Sequence, residues 1–212
     1  LFAGKPEVLA DPTGKRWYDL VQEGKGQQAA IEIIVAFSQG TFPKDLMYWP
    51  DTRAYKAAWQ STIDAAEKYN EPGRFTAFIG YEWTSNTGGN NLHRNVIFRG
   101  NGDKASQVVP MTVYPPQGSD NPRDLWKWMQ AYEDKTGGSV LAISHNGNLS
   151  NGRMFPIIEP VSGGKLDAKY AKDRMKWERL YEVTQTKGDS ETHPFLSPND
   201  EFAEFNRWDR SN

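Results

Sequence analysis

The chain contains no cysteine. A disulfide framework and thiolate zinc sites are therefore excluded, and an exported chain and a cytosolic one remain equally compatible with that absence. Charge of one sign is also lacking: 25 basic residues stand against 27 acidic ones, a formal net charge of −2. A sequence-independent nucleic-acid binder carries a basic excess, so no nucleic-acid partner is expected. No stretch approaches the 18 consecutive apolar residues of a membrane span, so no membrane partner is expected either. Histidine is scarce, with three in 212 residues. Aromatic residues are plentiful: eight Trp, nine Tyr and ten Phe. Rings of that size are seldom wholly buried, so some should line a site or an interface. With 37% hydrophobic residues, residues 1–212 are long enough for one sizeable domain around one core.

Helical and strand-like patterns alternate along the chain. "GQQAAIEIIVAFSQG" (26–40) reads as a buried helix stopped by Gly40. In 51–73, Tyr55, Ala58, Trp59, Ile63, Ala66 and Tyr69 recur near a 3.6-residue period, with Asp51 or Thr52 as cap and Pro72-Gly73 beyond the end. Residues 121–138 are a third helix, with Asn121 as cap, Pro122 in the first turn and Gly137 as the stop. Its Leu125, Trp128, Met129 and Tyr132 share one face and read as core rather than as a sugar-stacking platform. Further helices are expected over 166–177 and 197–209. Strands are expected over 74–83, 94–100, 139–144 and 179–185. Strands separated by helices imply an α/β fold with mostly parallel strands and helical crossovers.

In such a fold, ligands bind where strands end. Glu82 ends the first strand, His93 follows the polar loop 84–92, and His145 follows "SVLAIS" directly. Glu182 sits near the end of the last strand, and His193 lies in the loop beyond it. A lone histidine beside a turn is commonly a loop residue, and a glutamate at a strand end is commonly an ion-pair or capping residue. Five such residues on one expected rim weigh more than any one of them. Imidazole and carboxylate are the ligands that a hydrolytic zinc, manganese or iron site uses. "ISHNGNLSNGRMFP" (143–156) offers Asn146, Asn148, Asn151 and Arg153 as donors to an anion, or is a plain Asn/Gly-rich turn. "TQTKGDSETHPFLSPND" (184–200) brings Lys187, Ser190, Glu191 and His193, or is a plain connecting loop.

"IGYEWTS…NNLHRNVIFRG", "ISHNGNLSNGRMFP" and "YEVTQTKGDSETHPFLSPNDEF" together resemble a bacterial family catalogued as a domain of unknown function, related to the polymerase and histidinol phosphatase (PHP) superfamily of metallohydrolases. The resemblance covers about residues 27–209. It implies a distorted α/β barrel with a multi-metal site at its rim, with Glu82 as a bridging-type carboxylate and His93 and His145 as further ligands of a divalent transition metal. It also implies hydrolysis of a small anionic substrate, a phosphate or sulfate ester. The polar loops themselves, not the resemblance, mark Asn146, Asn148, Arg153 and Lys187 as substrate-binding and His193 as catalytic; the superfamily's pattern requires no histidine at 193. The superfamily's opening H-x-H strand, its Asp-His pair and its closing Asp-x-His element have no counterpart here. The start, "LFAGKPEVLADPTGKRWYDL", reads as mid-protein. The expectation is therefore a fragment: a partial barrel holding half of the ligands, without a full metal cluster or the activity that needs one, and with strand edges open to homo-oligomerisation. A periplasmic or secreted location is favoured over a cytoplasmic one. The alternatives are a non-catalytic anion- or sugar-binding module, which would carry no stoichiometric metal, and an interaction scaffold, in which mutating Glu82, His93 or His145 would change little.

Overall fold

A computed structural model describes residues 3–158, 163–205 and 207. The chain divides into two compact units, Leu1–Trp49 and Pro50–Asn212.

The first unit contains three helices, α1 (Pro6–Ala10), α2 (Pro12–Gln22) and α3 (Gly26–Ser38). Asp11 caps α2, its Oδ1 accepting from Gly14 N at 2.8 Å, and Pro12 takes the first turn, where its missing N–H costs nothing. Trp17, Leu20, Ala29 and Ala36 form a small core, flanked by Val21, Ile33, Phe42 and Leu46. The helix expected over 26–40 is present and ends at Ser38, but it is not a buried helix. Ile31 and Ile34 are exposed, so only one face of α3 is covered.

In the second unit, β1 (Ile79–Trp83), β2 (Arg94–Phe98), β3 (Val140–Ser144) and β4 (Leu180–Tyr181) form a sheet in that order. Helices α4 (Arg53–Tyr69), α5 (Gly102–Ala105), α6 (Pro122–Thr136) and α7 (Ala168–Trp177) complete the set of seven among the described residues. A hairpin, β5 (Thr184–Gln185) and β6 (Gly188–Asp189), follows β4. The sheet corrects the expectation of mostly parallel strands. β1 and β2 are antiparallel, as are β2 and β3, and only β3 and β4 are parallel. For β1 and β2 the connection gives the reason: residues 84–93 carry no α-helix to take the chain back, so the second strand returns beside the first, whereas β2 and β3 are antiparallel although α5 and α6 lie between them. Only β3–α7–β4 has the crossover form. The sheet is mixed and has two edges, and no closed barrel is present among the described residues.

Strand alternation places the core. Ile79 and Trp83, Val96 and Phe98, and Val140 and Ala142 are buried on one face. Trp59 and Ile63 of α4, Leu125, Trp126, Met129 and Tyr132 of α6, and Trp177 of α7 pack against them. The α6 face read from the sequence is core, with Trp128 packed at its margin. Asn121 Oδ1 accepts from Arg123 N at 3.0 Å, and Gly137 ends α6 in the left-handed region at φ 62°.

Three other expected elements differ. The strand expected from 74 begins at Ile79, because residues 71–75 are tied into a turn by Glu71 and Phe75. The strand expected over 179–185 is split into β4 and β5. The helix expected over 197–209 is absent from its described part: residues 201–205 are turns. There Asp200 Oδ1 accepts from Phe202 N at 2.9 Å, a local side-chain bond that competes with a helical start. Residues 206, 208 and 209 of that stretch lie outside the described residues.

Candidate metal centre

The same alternation that builds the core sends its neighbours to the opposite face. Arg94 pairs in register with Ser144, and both are buried on the core side. His93 and His145, one residue away on each strand, therefore turn outward, and His145 N donates to His93 O at 3.4 Å. Glu82 on β1 lies opposite Asn95 of β2, on the outward face between the half-buried Tyr81 and the buried Trp83, which turn to the core. The three side chains meet. Glu82 Oε1 is 3.0 Å from His93 Nδ1 and 2.9 Å from His145 Nε2. The imidazoles are edge to face, with centroids 5.7 Å apart. One ligand atom from each of the three lies within 4.8 Å of the others. The His145 side chain is 6% exposed, that of His93 12% and that of Glu82 41%, so the centre opens to solvent on the carboxylate side. Hydrogen bonds from His145 and then His93 hold the Glu82 carboxyl well below the usual carboxylate range, against the opposing effect of burial.

A buried charge knot fixes the strands beneath this centre. Glu178, at the end of α7, pairs with Arg94 at 3.1 Å and with Arg174 at 3.0 Å. It also accepts from Ser144 Oγ at 2.7 Å and Trp126 Nε1 at 2.8 Å. Arg94 reaches Leu92 O as well. The two residues that Glu178 grips most directly on the sheet, Arg94 and Ser144, are the chain neighbours of His93 and His145. The loop 84–92 is equally held: Ser85 Oγ donates to Asp120 O at 2.8 Å, Leu92 N to Ser85 O at 2.8 Å, and Asn91 N to Leu149 O at 3.0 Å. Ser85, Asn90 and Asn91 are buried, so this polar loop is a packed strut rather than a free connection.

The donor set fits a divalent transition metal. A tetrahedral ion with ligands at about 2.0–2.2 Å separates them by roughly 3.4 Å, so the Glu82 contacts of 2.9 and 3.0 Å would open by a few tenths of an ångström, with the two imidazole nitrogens, within 4.8 Å of each other, adjusting to the same spacing. A ligating imidazole usually gives its other N–H to an oxygen. His93 meets this condition, with Nε2 3.0 Å from Asn86 Oδ1. His145 Nδ1 is buried without a hydrogen-bond partner among the described residues.

The family model described as a protein of unknown function, DUF3604, matches residues 1–212. The chain belongs to the DUF3604 family. No curated protein and no solved structure matches it. Membership brings no activity with it and no tie to the PHP superfamily. Among the described residues, no helix is long and apolar enough to cross a membrane.

The other residues singled out in this DUF3604 chain are distributed unequally. Glu182 N donates to Ser144 O at 3.1 Å, extending the β3–β4 ladder, which places Glu182 beside His145 on the outward face. Its Oε2 accepts from Gln185 Nε2 at 2.6 Å. Asn146 is 1% exposed in the left-handed region, with both amide atoms lacking hydrogen-bond partners among the described residues. His193, Asn148 and Glu191 line one cavity, of about 330 Å³. Asn148, however, spends its carboxamide on Ser190 Oγ at 2.9 Å and Lys187 O at 3.0 Å. Arg153 lines a different cavity, of about 130 Å³, with Arg94 and Tyr170. Lys187 is exposed and lines neither cavity. The sequence reading passed over Glu178, Arg94 and Asn86. The signal available for Arg94 was a charged residue inside an otherwise apolar strand; for Glu178 and Asn86 there was none.

Proposed function

We propose that this DUF3604 chain holds a zinc, manganese or iron ion through Glu82, His93 and His145, and that it serves hydrolysis of a phosphate or sulfate ester. The observation that carries this reading is the convergence of two imidazole nitrogens and one carboxylate oxygen from three strand ends onto one point. An ion there supplies Lewis acidity to an ester oxygen. The protein's own residues do the rest. The Glu178 knot keeps His93 and His145 at fixed spacing. Glu182 offers a second carboxylate on the same face. In the reaction, water delivers its hydroxyl to phosphorus or sulfur, the ester P–O or S–O bond breaks, and the leaving oxygen takes a proton. His193 is assigned the delivery of that proton from Nε2 of its imidazolium form, which is restored by the proton the attacking water releases; Phe195 N lies 3.2 Å from Nδ1, so Nε2 is the ring nitrogen assigned to the transfer. The relation to PHP metallohydrolases belongs to this proposal and rests on the order of the motifs, a glutamate, a histidine eleven residues later and a histidine after the next strand.

The test is hydrolysis of 4-nitrophenyl phosphate and 4-nitrophenyl sulfate with added Zn²⁺, Mn²⁺ or Fe²⁺. Metal-dependent release of nitrophenol, lost in His145→Ala and with its pH–rate limb removed in His193→Ala, is expected. Stoichiometric metal without turnover of either ester would leave a metal-binding module. Absence of both would return the three residues to an ordinary hydrogen-bonded cluster.

A further inference from the structure

The cavity of about 330 Å³ begins at Gly147, two residues beyond His145, so its wall starts within about 7 Å of chain from the metal centre. Its opposite wall includes Tyr181, the register partner of Ser144, so that ring belongs to the core side of the sheet and not to the outward face of Glu182 and His145. We infer that this cavity receives a neutral, hydroxyl-rich ring, a sugar. This inference does not rest on the hydrolase reading.

Charge argues first. Two carboxylates, Asp189 and Glu191, line the cavity against one arginine, Arg207, which itself lies 3.5 Å from Glu204. Lys187 is outside the lining and Arg153 lines another cavity. An anionic group would thus meet like charge here, so the lining suits a neutral ligand.

The walls argue next. Phe155 and Tyr181 meet edge to face with centroids 4.8 Å apart, and Phe155 is 54% exposed. Arg174 sits 4.3 Å from the Phe155 ring centroid and pairs with the buried Glu178, so this ring is held in place from the core side. A rigid aromatic ring beside a polar lining suits a ligand with apolar C–H faces and hydroxyl edges. The hydroxyl of Tyr181 and the carboxylate of Glu191 make no hydrogen bond to another described residue, so one donor-acceptor and one acceptor remain for sugar hydroxyls. The remaining polar groups are committed to shaping the cavity: Ser190 to Asn148, and Asp189 to the N–H groups of Glu191 and Thr192. Gly147 completes the fit. A Cβ there would lie 2.1 Å from the Tyr181 hydroxyl, so any larger residue displaces that group from its position.

The experiment measures binding of neutral methyl glycosides of glucose, galactose and mannose to the whole chain by saturation-transfer NMR and titration, with inorganic phosphate and sulfate as separate probes. At least one methyl glycoside is expected to bind. Phe155→Ala should weaken it about tenfold or more, the order of one lost aromatic contact. Glu191→Gln and Gly147→Ala should weaken it too, while inorganic phosphate or sulfate is unaffected by these changes. His145→Ala should leave glycoside binding intact even as metal is lost, which separates this inference from the metal reading. Because Phe155 and Glu191 are exposed, their variants should fold. No binding of any of the three glycosides to the wild-type chain, or binding indifferent to Phe155→Ala and Glu191→Gln, would overturn the sugar assignment.

Discussion

Glu178 is a fully buried carboxylate facing two arginines, and it is the residue on which the candidate centre depends most without touching it. Burial would raise its pKa, but the Arg94 and Arg174 guanidiniums and the Ser144 hydroxyl outweigh that and hold it below the usual carboxylate value. A depressed folded pKa gives stability that is complete above the unfolded value near 4.3 and is lost as pH falls toward the folded one. Urea midpoints measured between about pH 6 and pH 3 should therefore fall on acidification, and fall less steeply in Glu178→Gln. At neutral pH that variant leaves Arg94 buried without its counter-ion and should cost about 3–5 kcal/mol. A smaller prediction concerns Asn86. Its Oδ1 orients His93, so Asn86→Ala should weaken metal affinity about 10-fold to 100-fold in a Zn²⁺ titration, while an exposed control such as Lys187→Ala leaves it unchanged. Glu82, His93 and His145 were legible in the sequence because polar, metal-competent side chains at strand ends stand out against apolar runs. Glu178 was not legible, because one acidic residue at the end of a charged helix looks the same whether it faces solvent or two buried arginines.

At the scale of elements, helices were more legible than strands. The caps and stops of α6 are local features, and each is where the pattern places it: Asn121 at the start, Pro122 in the first turn, Gly137 in the left-handed region. Asn121→Ala should cost about 1 kcal/mol of stability, read from thermal or urea unfolding, with the loss confined to the cap. Strand direction, by contrast, is not written in any one strand. "IGYEW" and "RNVIF" fix two buried strands, but whether they run parallel depends on what joins them. The joining loop is held by Ser85, Asn91 and Asp120, and those partners are distant in sequence. In the structure, residues next to buried strand positions face the other way, and that is how the His93 and His145 side chains come to the outward face.

At the scale of the molecule, membership of the DUF3604 family covers the whole chain, and the sheet, its packed helices and the outward cluster all lie within Pro50–Asn212. The mixed sheet departs from the expected barrel because two of its three pairings are antiparallel. Of the cavity lined by Asn148, Glu191 and His193, the sequence marks these polar residues but not Phe155 and Tyr181, since nothing local marks two aromatic residues 26 positions apart as one wall. The central claim is that three strand ends build one metal centre. Crystals of the chain soaked in Zn²⁺ and measured at the zinc absorption edge test it directly. The account predicts one strong anomalous peak about 2.0–2.2 Å from Glu82 Oε1, His93 Nδ1 and His145 Nε2. An empty cluster beside fully occupied zinc sites elsewhere on the molecule would contradict it.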